Sequence, residues 1–408
     1  MLVRYTKDAT GNPVRQAEVY TREEHGITLD SIDHDALFVC RKLRAAGHEA
    51  YIVGGAVRDL LLGIRPKDFD IATSAHPRIV KKVLPFSRII GKRFRLVHVY
   101  FPSNKILEIA TFRSNEPGDA NAFGTLEEDA LRRDFSLNAL YYCPKDQYVI
   151  DHVGGMKDVK SKRLVNVIHL STIFSEDPVR LLRAIKYATK AKFTIPNNIG
   201  SSMKRHAHLL EGMSASRLTE EMVKILVSGH CWPIFTQFYS YKVMDYLLPS
   251  LSRYFASGFF QKPLKALQIS LQNLDLRIVK GEDVSREEMI YHFLAPILIF
   301  HGWEKKATTE NFDQIIEFLK DITKPIIPSN KELDFTLRAL YREWAVRPPR
   351  KRPPRLRGRG KASGSSEVES EASRSSAPVQ AEVGDAPTAP KRKRKRRKGP
   401  RKAPITPL

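Results

Sequence analysis

The chain has 408 residues, 42% of them hydrophobic, a formal net charge of +23 and three cysteines. That is enough chain for two or three domains and enough apolar content for a real core. Cys40, Cys143 and Cys231 stand far apart with no C-x-x-C pair, which argues against disulfides and structural zinc. No run approaches the roughly 18 apolar residues of a membrane span, and the opening MLVRYTKDATGNP lacks the apolar segment of a signal peptide. The expectation is a soluble cytoplasmic protein with no membrane partner.

The charge is unevenly spread. From Arg347 onward there are 19 Lys and Arg against 5 Asp and Glu, and the first 346 residues are basic as well. A positive excess of this size favours a polyanionic partner, nucleic acid above all, over a merely solubilising surface.

Residues 1–26 read as a polar arm. Ile32, Ala36, Val39 and Leu43 then follow helical spacing, with Gly47 placed as a stop. EAYIV reads as a short buried strand that runs into Gly54-Gly55 and a helix, AVRDLLLG. KDFDIAT alternates like a strand, and Pro77 opens a helix, PRIVKKVL. FRLVHVYF and KILEIATF flank PSNK as a hairpin would. Residues 30 to 170 therefore suggest one α/β unit. From Asp177 onward the amphipathic runs are almost wholly helical. The segment 347–408 combines blocks of like charge with a Ser/Glu/Ala/Pro stretch and should be disordered alone.

Alternation along a strand puts Asp68 and Asp70 on one face. Two crowded carboxylates call for a cation, and Mg²⁺ binds through one or two carboxylates plus substrate phosphates; two ions would activate a hydroxyl and neutralise a departing pyrophosphate. A solvated strand edge is the simpler alternative. At Gly54-Gly55 the lack of Cβ atoms lets backbone N–H groups approach a phosphate, with Arg58 on the following turn to hold an oxygen; an ordinary glycine turn would look the same. No G-x-x-x-x-G-K-[ST] is present, so a P-loop enzyme is not supported. His34-Asp35 stands alone and does not make an HD-type phosphohydrolase.

A third carboxylate has two candidates. Glu108 lies in the otherwise apolar KILEIATF, where a charge needs a partner. Asp134 follows Arg132 and Arg133; the arginines could meet phosphate while Asp134 meets a ribose hydroxyl or the metal, or the RRD run could be a structural salt bridge. In SEDPVRLLR, Asp177 and Arg180 stand a turn apart at a helix start. A carboxylate accepts and a guanidinium donates, so the pair would read the amine and ring nitrogen of adenine or cytosine and reject guanine and uracil. Alternatively Asp177 caps the helix and Arg180 pairs with Glu176.

VGGAVRDLLLG, KDFDIAT, EIATFR, EEDALRRDFSLNALYY, DHVGGMKDV and EDPVRLLRAIKYA fall, in this order, as in the class II nucleotidyltransferases, which comprise CCA-adding enzymes and bacterial poly(A) polymerases. The resemblance runs from about Ile27 to Leu248. It implies an α/β head with a polymerase-β-like palm (27–170), an all-α neck carrying the base-reading motif (171–230), a helical RNA-binding body (231–346) and the disordered basic RNA-binding tail (347–408). It implies that Asp68 and Asp70 bind two Mg²⁺ ions and that Gly54, Gly55, Arg58 and Arg133 hold the triphosphate. Asp134 and Glu108 complete the catalytic centre, and Asp177, Arg180 and Arg183 form the base pocket.

Val153–Gly155 resembles the flexible link between head and neck. IIGKRFRLVHV, REEHGI and the basic tail resemble the poly(A) branch, although the loop between ATFRSN and FGTLEEDA is shorter than that branch implies. The expected activity is template-independent addition of AMP from ATP to RNA 3′ ends with release of pyrophosphate. CCA addition to tRNA is the alternative and a non-catalytic RNA-binding protein a remote one. RNA 3′ ends are the expected partner, and RNA-processing or decay proteins could dock as well.

Overall fold

The computed structural model describes residues 2–7, 13–91, 96–102, 105–114, 122–256 and 261–350. Expectations for residues 92–95 of IIGKRFRLVHV, for the centre of the PSNK turn, for the loop after ATFRSN and for the tail beyond 350 lie outside the described residues.

Among these residues nine strands join in one mixed sheet, ordered β1-β2-β9-β8-β3-β4-β7-β6-β5. They are β1 (Leu2–Lys7), β2 (Pro13–Tyr20), β3 (Ala50–Val53), β4 (Asp70–Thr73), β5 (Ser87–Ile90), β6 (Leu96–Tyr100), β7 (Ile106–Thr111), β8 (Leu140–Cys143) and β9 (Tyr148–Asp151). β4 and β7 run parallel, and the other described pairs are antiparallel. The stretch read as a polar arm thus contributes two strands. In VRQAEVY the buried Ala17 and Val19 alternate with the less buried Gln16 and Glu18, and β2 pairs with β9. KDFDIAT also differs from expectation: only Asp70–Thr73 is strand, and Asp68 lies on the irregular approach to it.

The two faces of the sheet are unlike. One carries Ile52, Ile71, Val97, Val99, Leu107 and Ile109 into a core that continues through Phe174, Leu181 and Ile185 into the helical part of the chain. The other carries Tyr51, Val53, Ala72, Tyr141, Cys143 and Ile150, covered by Leu126 and Ala130 of the helix Leu126–Leu131. From Ile173 onward every named element is helical. The fold is therefore a mixed-sheet head followed by a helical body.

Val153–Gly155 is not slack in this structure. Asp151, 2% exposed, accepts hydrogen bonds from the backbone N–H groups of Val153, Gly154, Gly155 and Met156 at 2.9–3.0 Å. Such a carboxylate gathers the unpaired donors at the start of the helix Gly155–Lys160. Gly155 packs so closely that an added Cβ would stand 2.4 Å from the Ser136 carbonyl oxygen.

Gly155→Ala should accordingly cost about 1–3 kcal/mol, the usual range for overpacking, seen as a lower Tm. Gly212→Ala, where a Cβ meets nothing within 4 Å, should stay within about 0.5 kcal/mol of wild type. Equal Tm values for the two variants would contradict the close packing at Gly155.

Candidate active site

Strand β3 is buried along its whole length and ends at Gly54, which adopts φ +73°. An L side chain is strained there. Its Cβ would stand 3.7 Å from Arg133 Nη1 and 3.8 Å from Asp70 Oδ2. Gly54, a guanidinium and a carboxylate thus border one small space.

Register brings the acids together. β3 and β4 pair Val53 with Asp70, and the parallel pairing of Ile71 with Ile109 sets Asp70 beside Glu108. Asp70 reaches solvent by accessible area, yet it is walled by enough protein to lose hydration. That desolvation, with the charges of Glu108 and Asp68 and against the pull of Arg133, pushes its carboxyl up to about 6. Crowded acids of this kind are what a divalent cation relieves. Among the described residues no group of three or more His, Cys, Asp or Glu is gathered to hold a metal alone. The donor set present, Asp68 and Asp70, suits an ion whose shell is completed by phosphate oxygens. Glu108 meets His98 Nε2 at 3.3 Å.

Arg133 is held from three sides. Its guanidinium donates to Tyr141 Oη at 2.9 Å, to the Asn138 carbonyl at 3.2 Å and to Asp129 Oδ2 at 3.0 Å. Asp129 also accepts from Tyr141 at 2.7 Å. Burial would raise Asp129, but the charges of Arg133 and Arg113 and the Tyr141 hydroxyl outweigh it and hold the carboxyl below its usual range.

The salt bridge within RRD does not form. Asp134 instead accepts from Arg183 Nε at 2.8 Å and from its neighbour Phe135 N–H at 2.9 Å, and is not gathered into a carboxylate cluster with Asp68 and Asp70. Arg58 has partners that its motif did not show. It is 3% exposed and committed to Asp59 and, at 2.8 Å, to Asn138 Oδ1; its Nη2 lies 3.4 Å from where a Gly55 Cβ would be. It buttresses the glycine turn from within.

In the helical part, Arg217 of the helix Ala215–Leu226 grips both oxygens of Asp177, at 3.0 and 2.9 Å. Arg180 donates to Glu176 Oε2 and to the Ile173 carbonyl, each at 3.0 Å. Asp177 also accepts from Val179 N–H at 3.3 Å. Of the structural alternatives weighed for this pair, the Arg180–Glu176 pairing is present, whereas the helix is capped at Val179 and Asp177 lies two residues before that cap. The helix itself starts at Arg180, later than Pro178 suggested. Lys186 meets Glu221 at 2.8 Å, and Lys190 meets Asp59 at 2.8 Å. Sequence reasoning missed Asp129, Asp59, Lys190 and Arg217. Asp129 had a local signal, standing four residues before Arg133 on a helix. Arg217, forty residues from its partner, had none.

Two family models match the chain: "Poly A polymerase head domain" over residues 50–165 and "Probable RNA and SrmB- binding site of polymerase A" over residues 192–255. Poly(A) polymerase I of Escherichia coli is 39% identical over 280 residues, which is 64% of this chain and 60% of that protein. The CCA-adding enzyme of Lactococcus lactis is 36% identical over 200 residues, 47% of this chain and 50% of its own. The crystal structure of the Bacillus stearothermophilus CCA-adding enzyme in complex with CTP superposes with a TM-score of 0.52 at 25% identity, covering 76% of this chain and 82% of that one. These likenesses support a place in the nucleotidyltransferase family that poly(A) polymerases share with CCA-adding enzymes. It spans about 60% of the length of the poly(A) polymerases it matches.

The Asp129 network makes a pH prediction. A carboxyl held below its usual range gives stability that is complete above its unfolded value, about 4, and lost as pH falls through its folded one. Asp129→Asn leaves half-buried Arg133 without its ion-pair partner and should cost about 1–3 kcal/mol at neutral pH. In urea unfolding across pH the gap to wild type should narrow below about pH 4. A gap that stays constant with pH would contradict the charge-based account.

Proposed function

We propose that this chain is a template-independent poly(A) polymerase, in which the 3′ hydroxyl of an RNA attacks the α-phosphate of ATP, AMP is joined to the RNA and pyrophosphate leaves. Asp68 and Asp70 would hold the divalent cations such a transfer uses, Mg²⁺ by donor chemistry, which when bound favour ionisation of the attacking hydroxyl and neutralise the departing pyrophosphate. Gly54 and Gly55 let the triphosphate approach the backbone, and Arg133 supplies the guanidinium for its oxygens. Arg58 supports the turn, and Glu108 adds negative charge beside Asp70.

Asp177 and Arg180 serve as the base readers, with Arg183 tied through Asp134 to the head. The helical region beyond residue 171 is assigned as neck and body, and the basic segment from 347 as a sequence-indifferent RNA contact. Among the described residues no helix is long and apolar enough to cross a membrane.

The observation that favours ATP alone is the two-point grip of Arg217 on Asp177, with Arg180 tethered twice. A pocket held at one width suits one base, whereas C and A in turn require it to reshape. CCA addition is the second reading, favoured by the likeness to the B. stearothermophilus enzyme bound to CTP.

Asp70→Ala should abolish nucleotide addition by several orders of magnitude with circular dichroism unchanged. Arg217→Ala should loosen Asp177 and narrow the preference for ATP over CTP about tenfold, within the roughly 1–3 kcal/mol of a base-edge contact. Near-normal extension by Asp70→Ala would remove the metal assignment. An unchanged ATP:CTP ratio in Arg217→Ala would remove the rigid-pocket account.

A further inference from the structure

Among the described residues, the sheet face that carries Asp70 is covered on one side only. Over β8, β3 and β4 it is sealed by Leu126 and Ala130. Past β4 the same face continues across β7, β6 and β5, where alternation points Glu108 and Ile106, then His98, Tyr100 and Leu96, then Arg88 and Ile90 away from the core. Their neighbours on these strands, such as Leu107, Val97 and Val99, are the buried ones.

Two features of this open face point to a ligand. Cross-strand pairing sets Glu108, His98 and Arg88 in a single row that begins beside Asp70. With strands about 4.8 Å apart, the row carries an acid, an imidazole and then a guanidinium outward over roughly 10 Å. Alongside it the cross-strand pair Tyr100 and Ile106 remains in solvent, 38% and 47% exposed, and Ile90, 38% exposed, flanks the row on its other side. The Arg88 guanidinium stands 5.7 Å from the Tyr100 ring centroid and the His98 ring 6.4 Å from it. A tyrosine braced by a cation, open to solvent beside apolar side chains, offers a base a stacking surface and its phosphate a counter-charge.

We infer that the outer face of β5–β7 is the platform that seats the last nucleotides of single-stranded RNA as the 3′ end enters the carboxylate site. Tyr100 stacks on a base, Ile106, its cross-strand neighbour, lines the edge, and Arg88 pairs with the backbone phosphate. His98, fixed by Glu108, closes the row toward Asp70. The occupant follows from continuity with the acids at which RNA reacts and from charge: a row that turns cationic away from the metal-binding acids suits a polyanion leading to them. This rests on the reading of the chain as an enzyme of RNA 3′ ends. The platform is a substrate seat on the head, separate from the base pocket at Asp177 and from the basic tail.

The test uses the full chain and a single-stranded oligoadenylate primer, with KM measured separately for primer and for ATP, and fluorescence anisotropy of a labelled primer as a direct binding readout. Tyr100→Ala should raise the primer KM and Kd about tenfold, as loss of one stacked base would, while the KM for ATP stays within twofold, about the scatter expected of a distant site. Tyr100→Phe keeps the ring and should keep the affinity. Arg88→Gln, on an exposed edge where folding is not at stake, should weaken primer binding and flatten its salt dependence. Leu276→Ser, exposed on the helix Gln261–Val279, is the control.

Wild-type primer affinity in both Tyr100→Ala and Arg88→Gln would overturn the platform. So would a Tyr100→Phe variant as weak as Tyr100→Ala, or parallel losses for ATP and primer. If the wild-type chain extends no RNA, the functional reading fails instead, and the anisotropy measurement still decides whether this face binds it.

Discussion

One helix, Arg180–Ala191, fastens the helical part of the chain to the sheet by charge. Its cations are each committed to a carboxylate on a different element: Arg180 to Glu176, Arg183 to Asp134, Lys186 to Glu221 and Lys190 to Asp59. Two of these acids belong to the head, and Asp59 is also the partner of Arg58 beneath the glycine turn. Arg58, Arg183 and Lys186 in turn lie over the ring of Tyr187, with centroid distances of 5.5, 5.6 and 5.1 Å. A buried ion pair is a poor source of net stability because desolvation offsets attraction. Its value here is orientation, since the buried acids Asp134, Glu221 and Asp59 fix where the cations of this helix can lie.

The candidate chemistry sits where that fastening meets the edge of the sheet's cover. Asp70 is crowded by Glu108 and Asp68 and opposed by Arg133, so the site is electrostatically unfinished without cations and phosphate. Arg133 is the reverse case, with Asp129, Tyr141 and the Asn138 carbonyl fixing it before any ligand arrives. Preorganised donors beside an incomplete anionic site are the arrangement that favours charge developing in a transition state over charge in the ground state.

Local features of the fold were legible in sequence. The strand before Gly54-Gly55, the pairing of the FRLVHVY and KILEIAT strands and the helices of the second half follow from periodicity and turn residues. The strand Pro13–Tyr20 was missed because its alternation is short and carries charges on the open face. Asp68 and Asp70 were legible from spacing, but the closeness of Asp70 to Glu108 depends on a parallel register that no local pattern encodes. Arg58 and Asp134 were placed against substrate from their motifs, and their partners far along the chain, Asn138 and Arg183, were not legible there. Long-range pairing decides which charges remain available, and a linear pattern cannot report it.

The central claim is that a pocket of fixed width passes adenosine to a generic RNA end. Primer extension by the wild-type chain, with each of the four nucleoside triphosphates offered singly to oligoadenylate and to tRNA lacking its CCA end, tests it most directly. The account predicts long tails from ATP on oligoadenylate, with CTP used far less well and GTP and UTP rejected. Addition of C, C and A to the tRNA followed by a halt, with oligoadenylate ignored, would contradict it.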